Sequence, residues 1–298
     1  MASCDIHWGN RHLHLGERTL VMGILNVTPD SFSDGGSYFT TEQAVAHAEK
    51  LIEDGADILD VGGESTRPFS DTVSETEEIR RVAPVIEAIA KRYSIPISID
   101  TMKATVARQA VEAGAAIIND VGALRADPLM AKTAAETGVP VILMHMLGTP
   151  KTMQASPHYD DLLTDIRNFL TDSISNAIHH GVDRSRIIID PGIGFGKTIA
   201  HNLTIVRCLN FFASLNAPIL IGPSRKAFIR KLLKTEFSQT SSASIAADME
   251  RIETGTQAVV AASILGGAHI VRVHDVARTI ATVRIIDALK GDSHAACD

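Results

Sequence analysis

Arg186-Ile-Ile-Ile-Asp-Pro-Gly-Ile-Gly-Phe-Gly-Lys-Thr198 runs from an apolar segment through one carboxylate into a glycine-rich loop, and its reading decides the fold. Two phosphate-binding loops look similar, and both fail. A P-loop needs Gly, four residues, then Gly-Lys-Ser/Thr; counting back from Gly196-Lys197-Thr198 puts Pro191 where the first glycine belongs. The dinucleotide fingerprint G-x-G-x-x-G also fails, because Gly192, Gly194 and Gly196 run G-x-G-x-G. What remains is a short buried strand, Ile187 to Ile189, that delivers Asp190 to a loop at its C-terminal end.

The same arrangement recurs along the chain. Apolar β-type runs span Val21 to Val27, Ala56 to Val61, Ile95 to Ile99, Ala116 to Ile118, Val139 to Met144, Ile187 to Ile189, Pro218 to Ile221 and His269 to Val273. Helical stretches alternate with them: Thr41 to Asp54, Glu75 to Arg92, Ala104 to Ala113, Pro128 to Glu136, Tyr159 to His179 and Val276 to Leu289. Gly55, Gly114, Gly138 and Gly181 stand where a left-handed helix cap would end the helix before the next strand. Continuous apolar strands alternating with helices imply a parallel sheet covered on both faces. Eight units are enough to close it, so the expected fold is α/β, a (β/α)8 TIM barrel, with a doubly wound open sheet as the alternative. A barrel of this kind takes about 250 residues. Residues 1–298 are therefore read as a single domain, with 1–20 as a hairpin extension in which Ile6 to Leu20 alternate around Gly9-Asn10. Lys234 to Ala247 reads as a surface excursion ahead of a helix over Asp248 to Leu265.

Composition narrows the function. Thirty-five acids against 28 Lys plus Arg leave a net charge of −7, which argues against a general nucleic-acid surface, so any anion site must be local. Cys4, Cys208 and Cys297 are few, odd in number and far apart, as in a reducing compartment. The first residues lack a basic segment leading into an apolar one, and the most apolar later region is broken by Gly266, Gly267, His269 and Arg272. A cytoplasmic protein with no membrane partner is expected.

In an α/β barrel the chemistry sits in the loops after the strands. Those ends carry Asn26, Asp60 and Glu64, Asp100-Thr101, Asn119-Asp120, His145, Asp190, Ser224-Arg225-Lys226 and Arg272-Val273-His274-Asp275. Asp120, Asp275 and Thr101 read as caps for the helices that follow. Asp60 and Glu64 can serve simply to brace the mouth, and His145 stays open between a satisfied core histidine and a functional one. Asp100, Asn119 and Asp190 are different, because three such groups converging on one rim make a hydrogen-bonding pocket. Arg272 and His274 share a strand side by the period of two, and Arg67 adds positive charge. Lys226 does the same at the start of a helix, whose N-terminus also favours an anion. No Cys-x-x-Cys, His-x-His or paired carboxylates are read at ligand spacing, so no preformed protein cage for a metal is expected. A magnesium ion carried in on a diphosphate and touching only Asn26 would leave this faint a trace.

These residues resemble the dihydropteroate synthases, the pterin-binding enzymes of folate biosynthesis. Gly23-Ile-Leu-Asn-Val-Thr-Pro-Asp-Ser-Phe-Ser-Asp34, Gly63-Glu-Ser-Thr-Arg-Pro68, Ser98-Ile-Asp-Thr101, Ile118-Asn-Asp120, Leu143-Met-His-Met146, Asp190-Pro-Gly-Ile-Gly-Phe195, Ser224-Arg-Lys226 and Arg272-Val-His-Asp275 appear in the family's order. The resemblance implies a barrel that joins p-aminobenzoate to 7,8-dihydropterin-6-ylmethyl diphosphate and releases diphosphate. By position, Asp100, Asn119, Val121, Met144, Asp190, Lys226 and Arg272 would bind the pterin. Asn26, Arg67, Arg272 and His274 would bind diphosphate, with Asn26 on its Mg2+. Phe32, Thr66, Pro68, Phe195 and Ser224 would receive p-aminobenzoate, and Arg67, Lys226, Arg272 and His274 would be catalytic. The family also implies a homodimer, and the loops 28–36 and 65–72 are expected to close over the substrates and exclude water from the activated methylene. Two departures stand out: Phe69-Ser70 follows Arg67-Pro68 where small residues are common, and Leu147 follows Met146 where a polar residue is frequent.

Two other readings account for part of this pattern. A methyltetrahydrofolate:corrinoid methyltransferase would use the Asp/Asn/Asp group but would leave Thr66-Arg-Pro68, Ser224-Arg-Lys226 and the Arg272/His274 pair without a task. A noncatalytic pterin-binding protein would keep the pocket and have no need of basic loops.

Overall fold

A computed structural model describes residues 4–28, 41–65, 72–149, 153, 157–234 and 242–291. The chain starts with an antiparallel hairpin, β1 (Cys4–Trp8) and β2 (Arg11–Leu15). It continues through β3 (Leu20–Asn26), α1 (Thr41–Glu53), β4 (Ile58–Gly62), α2 (Glu75–Arg92), β5 (Ile97–Asp100), α3 (Ala104–Glu112), β6 (Ile117–Asp120) and α4 (Met130–Thr137). Then come β7 (Val141–Met144), α5 (Leu162–His179), β8 (Ile187–Asp190), α6 (Ile199–Arg207), β9 (Leu220–Ile221), α7 (Ala227–Leu233), α8 (Ser242–Leu265), β10 (Ile270–Val273) and α9 (Val276–Gly291).

The barrel strands lie in the order β8-β7-β6-β5-β4-β3-β10-β9, with parallel pairing throughout. An isolated parallel bridge between Ile189 and Ile219 joins the outer two and closes the ring. The sheet is a (β/α)8 barrel, not the doubly wound alternative. β5, β6, β7 and β8 are buried at every position because helices cover their outer faces and side chains fill the interior. Burying one Ile or Val contributes about 1.5–3 kcal/mol, so the apolar runs legible in the sequence are the main drive to this layout.

The helices obey the same logic. Ser74 caps α2 by accepting from Glu77 N, three glutamates occupy the first turn, and Lys91 and Arg92 occupy the last. Its buried stripe of Val82, Val85, Ile86 and Ile89 faces the sheet. Gly55, Gly114, Gly138 and Gly181 all have positive φ, as expected of left-handed caps.

The hairpin covers the N-terminal end of the barrel. Ile6, Trp8, Leu13 and Leu15 point into the core, while Arg186, just before β8, donates to the carbonyls of His7 (3.1 Å) and Gly138 (2.8 Å). The hairpin is shorter than its alternating pattern, because Leu20 already belongs to the first barrel strand. Its outer face carries His7, His12 and His14, the last paired with Asp5 at 2.9 Å. His12-Leu13-His14 is thus a His-x-His far from the rim, and among the described residues no three metal-ligating side chains gather in one place.

The strands end later than their apolar runs. Asp100, Asn119, Asp120 and Asp190 lie inside β5, β6 and β8, since both neighbouring strands still offer ladder partners there. α8 starts at Ser242, so part of the expected excursion is helical. Asp275 caps α9 by accepting from Arg278 N (3.0 Å), whereas Asp120 accepts from Gly122 N and Leu124 N and secures its own loop. Asp120 is no cap for α4, which begins ten residues on at Met130. Thr101 accepts from Lys103 N, two residues on, ahead of α3. Among the described residues no helix is long and apolar enough to cross a membrane.

Candidate active site

Strand register brings the polar ends together. Asp100 is the partner of Asn119 across β5 and β6, and Met144 is the partner of Asp190 across β7 and β8. Arg272 reaches over from β10: its Nε donates to Asp60 Oδ2 (2.5 Å) and its Nη2 to Asp100 Oδ2 (2.6 Å). Asn119 Nδ2 donates to the same Asp60 oxygen at 3.1 Å. Asp60 therefore does brace the mouth, by holding Arg272 and Asn119 from beneath. Asp60 Oδ1 and Asp100 Oδ1 are buried and have no partner within the protein. An unmade hydrogen bond of this kind costs about 1–3 kcal/mol, so the pocket invites a ligand rich in N–H donors.

Beside this polar set Val121, Met144, Met146, Met153 and Phe195 form a small apolar cluster, separate from the main core, with Met102 against it. Through Met144, the registered partner of Asp190, this apolar surface adjoins the polar strand ends. Lys226 lies across the Asp190 loop: a Cβ on Gly194 would meet its Cδ at 3.0 Å, and its Nζ sits 4.1 Å from the Phe195 ring centroid. Arg225 adopts a left-handed backbone (φ 57°), which sends its own side chain outward to Glu253 of α8. Ser224 Oγ lies 2.9 Å from His274 Nδ1 and accepts from His274 N at 3.2 Å. Asn26 ends β3 beside Gly62, whose modest space separates its amide oxygen from Asp100. Glu64 accepts from Val73 N (2.9 Å), which ties together the two ends of the loop between β4 and α2, and from Lys103 (2.6 Å), just ahead of α3. Phe32, Thr66, Arg67 and Pro68 lie outside the described residues.

Burial dominates the electrostatics. It pushes Asp100 up to about 7, against the pull of Arg272, with Asp60 and Glu78 adding to the rise. It pushes Asp190 up to about 6, against a hydrogen bond from Gly192 N and the charge of Lys226. Burial alone would lower Arg272, but Asp60 and Asp100 outweigh it and hold the guanidinium above its ordinary value. His145 is driven down to about 2 by burial and by Lys197, so it is a neutral, satisfied histidine.

A family model described as pterin binding enzyme matches residues 22–274. The chain is 47% identical to a dihydropteroate synthase of Bacillus subtilis, over 97% of this chain and 95% of that one. The chain belongs to the pterin binding enzyme family. Among solved structures, a Yersinia pestis dihydropteroate synthase with a sulfonamide drug superposes with a TM-score of 0.87 at 42% identity, covering 96% of this chain and 100% of the other. The Xanthomonas albilineans enzyme with 4-aminobenzoic acid gives 0.86 at 43%, covering 97% and 99%. The activity is that of a dihydropteroate synthase, a transferase.

In this pterin binding enzyme the sequence reading missed three features of the site. Asp60 was rightly read as a brace, but its partners, Arg272 and Asn119, were not foreseen; the signal was a charged residue inside an otherwise apolar strand. Met102, Met146 and Met153 went unassigned, although methionines next to polar strand ends are suited to line an adaptable slot. Lys197, the residue that made the P-loop tempting, is buried.

Proposed function

We propose that the chain joins p-aminobenzoate to 7,8-dihydropterin-6-ylmethyl diphosphate, giving 7,8-dihydropteroate and diphosphate. The observation that carries this reading is the buried acceptor set beside a methionine-rich wall: Asp100, Asn119 and Asp190 match the donor-rich edge of a flat heterocycle in number and polarity. Asp190 is a recognition group here, not a base, because a carboxylate accepts paired hydrogen bonds from an amino-pyrimidinone edge. Val121 and Met144 face the ring, and Arg272, pinned by Asp60 and Asp100, covers it.

The aromatic amine is neutral at pH 7 and needs no deprotonation before attack. The demanding event is C–O cleavage at the pterin methylene, where negative charge builds on the leaving diphosphate while the methylene becomes electron-deficient. Arg67, Lys226, Arg272 and His274 are the groups assigned to that charge, and removing one such partner typically costs about 100-fold to 1,000-fold in rate. The carboxylates steady the cationic pterin, so the substitution is dissociative. Phe195, Ser224, Phe32, Thr66 and Pro68 receive the second substrate.

Asn26 offers one side-chain amide oxygen, and no gathered set of metal ligands stands among the described residues. This donor fits a Mg2+ ion that enters on the diphosphate and takes most of its oxygen ligands from phosphate and water. Bound there, the ion would supply charge neutralisation for the departing group.

The reading extends to a cytoplasmic homodimer. Cys4 and Cys208 are free thiols, and exposed Leu232, Leu265, Ile285 and Leu289 on α7, α8 and α9 offer apolar surface remote from the rim. Size-exclusion chromatography with light scattering tests the dimer. Incubation with the pterin diphosphate, p-aminobenzoate and magnesium, with diphosphate assayed, tests the reaction. Release that ignores omission of aminobenzoate would contradict it.

A further inference from the structure

The loop from Asp190 to Lys197 is pressed against the segment that follows β7. His145 N donates to the Asp190 carbonyl at 2.9 Å, and a Cβ on Gly192 would sit 1.9 Å from the His145 carbonyl oxygen. A Cβ on Gly196 would sit 2.6 Å from that of Leu147. Glycine is required at both points for backbone approach, and both have positive φ. The loop itself turns tightly, with Phe195 N donating to Gly192 O (3.2 Å) and Gly194 N to Asn202 Oδ1 (2.7 Å).

Lys197 lies beneath this joint, 4% exposed, and its stem carries the amine to two acceptors. Nζ donates to His145 Nδ1 (2.9 Å) and to the Phe195 carbonyl (3.0 Å). The first bond sets the imidazole as its Nε2–H tautomer, and the ring packs edge-on against Phe169 with centroids 4.6 Å apart. The second holds the backbone of Phe195, the residue whose ring lies under Lys226 Nζ. Phe195 is thus gripped at its carbonyl by one lysine and at its ring by another. The charged groups around the joint are Asp190, Lys226, Arg272 and Arg125.

A lysine buried for packing alone would be poorly chosen, since burial pulls its amine down to about 7 and an aliphatic side chain would fill the space without that penalty. The two bonds it makes are what the site retains. We propose that Lys197 is a positioning residue for the second substrate: through His145 and the Phe195 carbonyl it fixes the Phe195 ring in the place where the aminobenzoate is received. It touches neither substrate. This rests on the proposed reading of Phe195 as part of the aminobenzoate site.

The test is a split between the two substrates, measured at pH 8, where Asp190 is ionised. Lys197→Met keeps the buried volume and removes both hydrogen bonds. KM for p-aminobenzoate should rise tenfold or more, with kcat and the Kd of a pterin analogue changed less than threefold. An unchanged KM, or a KM and pterin Kd that rise in the same proportion, would overturn the proposal, because a lysine that merely supports the loop would weaken Asp190 and Phe195 together. Should K197M fail to fold, His145→Phe keeps the ring against Phe169 and deletes the Nδ1 acceptor; a threefold or greater rise in the same KM is expected, and none would refute the role. Phe195→Leu is the control. If it leaves KM for aminobenzoate unchanged, the reading of Phe195 fails and takes the proposal with it. If F195L raises that KM and K197M does not, the role of Lys197 alone is refuted.

Discussion

Replacing Arg272 by Met should destabilise the protein in a manner that depends on pH. The guanidinium makes two short bonds to buried carboxylates, 2.5 Å to Asp60 and 2.6 Å to Asp100. Removing one partner of a buried ion pair costs about 3–5 kcal/mol because the other charge is left stranded. Asp100 has a way out, since it can take up a proton. Its folded value is already raised to about 7 by burial, far above the unfolded value near 4, and losing Arg272 raises it further. A carboxylate raised on folding contributes stability that is fully present below the unfolded value and disappears as pH climbs through the folded one. Between pH 6 and 8 the variant keeps some of that contribution after the wild type has lost nearly all of it. Since one unit is about 1.4 kcal/mol, the cost of R272M should be about 3–5 kcal/mol at pH 8 and about 1–2 kcal/mol smaller at pH 6. Urea unfolding of both proteins at the two pH values measures this. A loss below about 1 kcal/mol at pH 8, or an equal loss at both, would refute the stranded-carboxylate account.

Three further outcomes follow from the site. Asp190→Asn should weaken binding of a pterin analogue by about 1–3 kcal/mol, seen by calorimetry, through lost charged hydrogen bonds. In the wild type that affinity should fall as pH drops through about 6, where Asp190 takes up a proton, and the variant should lose this acid limb. Arg67→Ala should lower turnover by about 100-fold or more while pterin affinity stays nearly intact, and a steady-state assay beside a binding titration separates the two. Chelating magnesium should abolish diphosphate release yet leave the affinity of a pterin analogue without phosphates unchanged, because the only proposed protein ligand, Asn26, stands on the diphosphate side.

The barrel was legible because its strands are buried on both faces and declare themselves as unbroken apolar runs. The polar residues at their ends were equally visible, and the register places Asp100 beside Asn119 and Met144 beside Asp190. Partnerships were another matter. Arg272 and Asp60 stand 212 positions apart, and no local pattern says which carboxylate a distant arginine will choose. Lys197 misled for a related reason: its neighbours Gly196 and Thr198 advertise a phosphate loop, whereas its real partner, His145, lies 52 positions away, just past the end of the neighbouring strand β7. Asp120 looked like a helix cap because a helix follows, but its carboxylate is used up by two amides in the intervening turn. The expectation that the chain holds no His-x-His was wrong: His12-Leu13-His14 is one, on the hairpin at the other end of the barrel from the polar strand ends.

The ring of strands is not equally strong all round. β3 and β4 share five registered pairs and β7 and β8 share four, whereas β9 has two with β10, and only the Ile189–Ile219 bridge joins β8 to β9. This weak seam runs directly beneath Asp190 on one side and the Ser224–Lys226 turn on the other. A pterin held by both, as proposed, would act as a stitch across the join, tying together the two strands that the sheet itself holds most lightly.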